Sequence, residues 1–154
     1  MNKSGEKQEK ALHWFDHGFN CAQSVFAAFA PACGVSVDDA LRVATPFGGG
    51  IGKQQLVCGA VTGALMALGT RFGKASEDDD ERKQHTYALT REFCAEFIRR
   101  HGSLQCRELL LGLDMNDPIQ NARIKKLGLT ESHCNRFVTD AAGMVAEMMN
   151  RDLR

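Results

Sequence analysis

A chain of 154 residues carries 19 basic and 19 acidic side chains, so its formal net charge is zero. The length suits one domain with a real core, and the charge balance leaves no basic stripe with which to grip nucleic acid. No apolar signal-peptide core follows the N-terminus, and the uncharged stretch Gln54 to Thr70 is too short and polar to insert in a membrane. Apolar residues recur at helical spacing along almost the whole chain without strand alternation, which predicts an all-α bundle in a single domain over residues 1–154. A first helix spans Glu6 to His17, turns Leu12 and Phe15 inward and stops at Gly18. Asn20 caps a second from Cys21 to Ala30, closed by Pro31 and Gly34. Ser36 opens a short third helix through Val43. Thr45-Pro46-Phe47 then leads into the run Gly48-Gly49-Gly50-Ile51-Gly52.

A long helix from Gln54 to Phe72 follows. On it Gly59, Gly63 and Ala67 fall at every fourth position and form one smooth face, suited to close approach of another helix within the chain or in a homodimer. The acidic cluster Glu77 to Glu81 suits the start of the next helix and Arg99-Arg100-His101 its end, with Tyr87, Cys94, Phe97, Ile98 and His101 on the inner stripe. Ser103 caps a short helix through Leu111, and Asp117-Pro118 opens another to Leu127. The last helix runs from Ser132 to Arg151, with Phe137, Val138, Ala141, Met144, Val145 and Met148 inward.

Four of the six cysteines, Cys21, Cys58, Cys106 and Cys134, fall where this pattern starts a helix. Free backbone N–H groups and the positive end of the helix dipole stabilise a thiolate there, so depressed thiol pKa values are expected at all four. The surroundings point to the cytoplasm, where thiols stay reduced, and six cysteines then indicate redox or metal chemistry before structural disulfides. The plainer reading of each is a small residue packed on a helix face. No Cys-x-x-Cys is present, which counts against a zinc ribbon, a thioredoxin-type pair and covalent haem attachment. Any joint action of the cysteines therefore depends on the tertiary fold.

Two other patterns are set aside. The run ending Gly52-Lys53-Gln54 resembles a phosphate loop, but Phe47 stands where the first glycine belongs, Gln54 replaces the Ser or Thr, and no strand precedes it. Its role is better read as backbone freedom beside Cys58. His13 and His17 share metal-binding spacing but lack a carboxylate partner at matching spacing, which favours rim positions. His101 and His133, close in sequence to Cys106 and Cys134, are candidates for lowering a thiol pKa.

The segments Gly18-Phe19-Asn20-Cys21-Ala22-Gln23-Ser24-Val25, Phe47-Gly48-Gly49-Gly50-Ile51-Gly52, Cys58-Gly59-Ala60-Val61-Thr62-Gly63-Ala64-Leu65 and Gly102-Ser103-Leu104-Gln105-Cys106-Arg107-Glu108-Leu109-Leu110 together resemble the redox-active family named for its C_GCAxxG_C_C cysteine pattern. Cysteine and glycine are exchanged in the central element relative to that name. The resemblance implies redox cysteines at Cys21, Cys58 and Cys106 with Cys134 as the fourth, Cys94 competing and Cys33 additional. It also implies a possible metal role, since a related domain occurs in cytochromes with an iron–sulfur centre.

Three readings follow. In the first, a helix-start thiolate such as Cys58 attacks a disulfide of a redox partner protein or small molecule, Cys21 or Cys106 resolves the mixed disulfide, and no cofactor is needed. In the second, Cys21, Cys58, Cys106 and Cys134 ligate an iron–sulfur cluster or a zinc ion. In the third, a helical interaction protein uses its cysteines only for packing. All hinge on whether the four sulfurs meet.

Overall fold

Four helix starts carry a capping side chain, whereas Ser103, read as a cap, instead accepts from the Gln105 N–H at 2.9 Å and leaves the short helix Cys106–Leu109 without a side-chain cap. In the computed structural model, which describes residues 3–152, Asn20 accepts from the Gln23 N–H at 2.9 Å and opens α2 (Cys21–Phe29) with a full capping box. Ser36 accepts from Asp39 at 3.1 Å and opens α3 (Val37–Ala44). Asp79 accepts from Arg82 at 3.2 Å ahead of α5 (Asp80–His101), and Asp117 accepts from Gln120 at 2.9 Å ahead of α7 (Pro118–Lys126). The other helices are α1 (Lys3–Asp16), α4 (Gly59–Phe72), α6 (Cys106–Leu109) and α8 (Asn135–Asp152). The described residues form no strand, only an isolated antiparallel bridge between Val57 and Gln105. None of their helices is long and apolar enough to cross a membrane.

α1 packs along α8 and α2, and α4 lies against α2, α5 and α8. Between them sits the main core, where Val25, Phe29, Leu68, Phe93, Phe97 and Val145 are fully buried. A separate small cluster of Leu110, Ile124 and Leu129 lies beneath α6 and α7. The smooth face of α4 is used within the chain. A Cβ on Gly63 would stand 2.6 Å from the Ala22 carbonyl oxygen, and one on Gly59 would stand 3.0 Å from both the Ala22 nitrogen and the Cys21 Cβ. Only glycine lets α2 and α4 cross so closely, and the crossing brings Cys21 beside the start of α4.

Two stretches depart from the helical reading. The long helix begins at Gly59 rather than Gln54, because the five preceding residues are occupied otherwise. Gln55 has φ 58°, is 4 % exposed, donates its Nε2 to the Leu113 carbonyl at 2.9 Å and accepts from the Met115 N–H at 2.8 Å. Ahead of it, Gly49, Gly50, Ile51, Gly52 and Lys53 form an unbroken left-handed run with φ of 62°, 70°, 67°, 56° and 63°. Glycine adopts that conformation freely, whereas Ile51 and Lys53 each pay about 1–2 kcal/mol for it. Within α5, Tyr87 is 50 % and Ile98 43 % exposed, so neither lies on the inner stripe; Leu89 and Phe93 complete it instead.

Candidate functional site

Two backbone pairings set opposite walls of one cavity. The Cys58 N–H donates to the Leu104 carbonyl at 2.7 Å, and the Cys106 N–H donates to the Leu56 carbonyl at 2.6 Å. Cys58, at the N-cap of α4, and Cys106, the first residue of α6, are thereby fixed on adjoining segments. The glycine loop closes over them. A Cβ on Gly50 would meet the Cys106 Cβ at 2.8 Å and the Leu56 nitrogen at 2.7 Å, so the loop presents bare backbone to the thiols.

Cys21, Cys58, Cys106 and Cys134 all line this cavity, whose volume is about 280 Å³. Cys33, at the end of a 3-10 turn (Ala30–Cys33), and Cys94, half-buried on α5, do not. Three of the four sit at helix starts. Cys134 does not: it closes a π-turn (Thr130–Cys134) that runs directly into α8. Wide turns of this kind are rare and concentrate at functional sites.

The expected depression of every thiol pKa does not occur, and the reason is burial. Cys58 is 4 % exposed. Desolvation pushes its thiol up to about 12, although the Ala60 and Val61 N–H groups at the start of α4 favour the thiolate. Cys106 is likewise driven to about 12 by burial, with the neighbouring sulfurs of Cys58 and Cys134 adding repulsion. Cys21 and Cys134 act as a pair. The Cys21 thiol donates to the Cys134 sulfur, which lowers the Cys134 pKa against both burial and Glu131, and raises that of Cys21 well above its ordinary value. One negative charge shared by this pair is thus favoured on Cys134.

No histidine is among the influences on the four thiols. His133 Nδ1 faces the Ser132 hydroxyl at 2.8 Å, and His101 pairs with Asp140. His17 bonds through Nδ1 to the His13 carbonyl at 2.7 Å, at the end of α1. Among the described residues, no three His, Cys, Asp or Glu side chains stand close enough together to hold one metal ion. Sequence reasoning missed Lys53, Met115 and Asn121, which also line the cavity. They lie on a loop, a turn and α7, and nothing in their local pattern announces a shared wall.

An all-helical bundle that gathers four free thiols around one small cavity defines a cysteine-based, redox-type helical protein. The comparison with known families agrees: the profile described as "Putative redox-active protein (C_GCAxxG_C_C)" matches residues 19–148. The chain belongs to that family. It is also similar to an uncharacterized protein of Archaeoglobus fulgidus, 27 % identical over 122 residues, a match covering 75 % of this chain and 81 % of the other. No solved structure matches it.

Proposed function

We propose that this protein exchanges its thiols with disulfides through Cys134 and Cys21, and the convergence of four cysteines on one cavity carries that reading. The nucleophile in such exchange is a thiolate. Cys134 suits the role, because its pKa is lowered and its stabilising donor is itself a cysteine. After Cys134 attacks, Cys21 is already at hand to resolve the mixed disulfide. Cys58, first in line by its helix-start position and glycine loop, is reassigned: a thiol pushed up to about 12 is protonated at neutral pH. Cys58 and Cys106 then wall the pocket as neutral thiols. A reducing, cytoplasmic setting suits a protein that must keep all four reduced between turnovers.

Alkylation of the reduced protein by iodoacetamide across a pH series, read cysteine by cysteine by peptide mass spectrometry, tests the assignment. Cys134 is expected to react with an apparent pKa below the free value of about 8.5, and Cys21→Ala to raise it. Four thiols that all ionise at or above that value remove the basis of the mechanism. Iron or zinc in stoichiometric amount in anaerobically purified protein would instead favour a ligand role for Cys21, Cys58, Cys106 and Cys134.

A further inference from the structure

The cavity that holds the thiols also has a shape, a size and a charge. At about 280 Å³ it is small, just below the roughly 300–1,000 Å³ typical of ligand pockets. None of its four cysteines is exposed. Cys58 is buried and the other three are partly covered, so a small molecule reaches them more readily than a disulfide fixed in the surface of a folded protein. The lining includes one cation, Lys53, and no carboxylate. No hydrogen bond or ion pair engages the Lys53 ammonium among the described residues, while Asn121 and Thr130 add polar side chains to the same wall.

Lys53 is held in place. Its N–H donates to the Gly48 carbonyl at 3.1 Å, and its carbonyl accepts from Asn116 Nδ2 at 2.7 Å. Its φ of 63° is one that glycine would adopt without cost. Lys53 is exposed, and its backbone is fixed in a left-handed conformation on the lining of the thiol cavity.

We infer that the cavity takes a small anionic disulfide, with Lys53 as the specificity-determining residue that pairs with a carboxylate of the substrate. The inference rests on the thiol–disulfide reading and names its substrate class. The Cys134 thiolate attacks one sulfur of the substrate RS–SR, forming Cys134–S–SR and releasing RS⁻. The Cys21 sulfur then attacks Cys134, forming the Cys21–Cys134 disulfide, and the second RS leaves with the proton that Cys21 gives up. Two protein thiols are oxidised, one disulfide is reduced to two thiols, and two electrons pass.

Three symmetric disulfides of similar size test this: dithiodipropionate, which is dianionic, hydroxyethyl disulfide, which is neutral, and cystamine, which is dicationic. Oxidation of the reduced protein by each is followed by mass spectrometry for wild type and Lys53→Gln. The ratio of the two rates is taken for each probe, so that leaving-group differences cancel. The ratio is expected to be roughly threefold to fivefold for the dianion, near one for the neutral probe and below one for the dication. Lys53→Arg keeps the preference, and high salt abolishes it. The neutral probe also checks that the variant folds. Equal ratios for all three probes overturn the anionic substrate and leave thiol exchange standing. If no probe oxidises the protein, thiol exchange falls and the inference with it.

Discussion

His101 and Asp140 set a pH dependence that belongs to single side chains. His101 Nε2 stands 3.0 Å from Asp140 Oδ2, with the imidazole only 3 % exposed. Its ring packs on Phe97 and Phe137 at centroid distances of 4.6 and 5.0 Å. Burial is the largest influence; it outweighs the Asp140 carboxylate, is reinforced by Arg136 and Arg100, and lowers the His101 pKa from its ordinary 6.5. A histidine that binds its proton less readily when folded contributes stability above the unfolded value, and that contribution is lost as the pH falls below it. Urea unfolding should therefore show wild type weakening below about pH 6.5 by no more than about 1.4 kcal/mol per pH unit, with a shallower slope in His101→Gln. Equal slopes would remove His101 as the source. The thiols obey the same competition. The helix-start placement of Cys21, Cys58 and Cys106 was legible in the chain and the π-turn placement of Cys134 was not, and whether dipole or burial prevails depends on what covers each sulfur. For Cys58 and Cys106 the cover comes from segments distant in sequence, so the sign of the shift could not be read.

At the scale of elements, the crossing of α2 over α4 places Cys21 beside Cys58, and it depends on absent side chains. Gly63→Ala would put a Cβ 2.6 Å from the Ala22 carbonyl oxygen, where backbone must move. Overpacking of this kind costs about 1–3 kcal/mol. Gly69→Ala, on the same helix with nothing within 4 Å, is the control, and it should be neutral or up to about 1 kcal/mol stabilising through helix propensity. Thermal melts of the two variants decide the matter: similar midpoints would mean the close crossing is dispensable. The every-fourth-residue spacing of Gly59, Gly63 and Ala67 made that face visible beforehand, as Asn20, Ser36 and Asp117 did the caps. Two features stayed hidden. Gln54 to Cys58 has helical composition, but Gln55 buries its amide against the Leu113–Met115 turn and Val57 pairs with Gln105, and both partners lie more than forty residues away. The π-turn ending at Cys134 carries no propensity signature distinct from an ordinary helix start.

Across the whole molecule, the cavity lies on the seam between two hydrophobic clusters. Cys58 belongs to the main core with Cys21 packed on it, whereas Cys106 and Cys134 pack on the small cluster of Leu110, Ile124 and Leu129. Three buried side chains make a thin core, and such regions open at lower free energy than the fold as a whole. A Cys21–Cys134 disulfide ties the small cluster to the bundle, and closing a loop of about 100 residues is worth at most about 4.7 kcal/mol in chain entropy. The oxidised protein should therefore melt higher than the reduced one by roughly 5–10 °C. The change should be local as well: amides of α7 should exchange with solvent more slowly after oxidation, while those buried in α4 and α8 stay near their former rates. Cys21→Ala, which cannot form the bridge, should show neither effect. If α7 exchanges equally fast in both redox states of wild type, the bridge does not span the seam, and Cys134 must take another partner within the cavity.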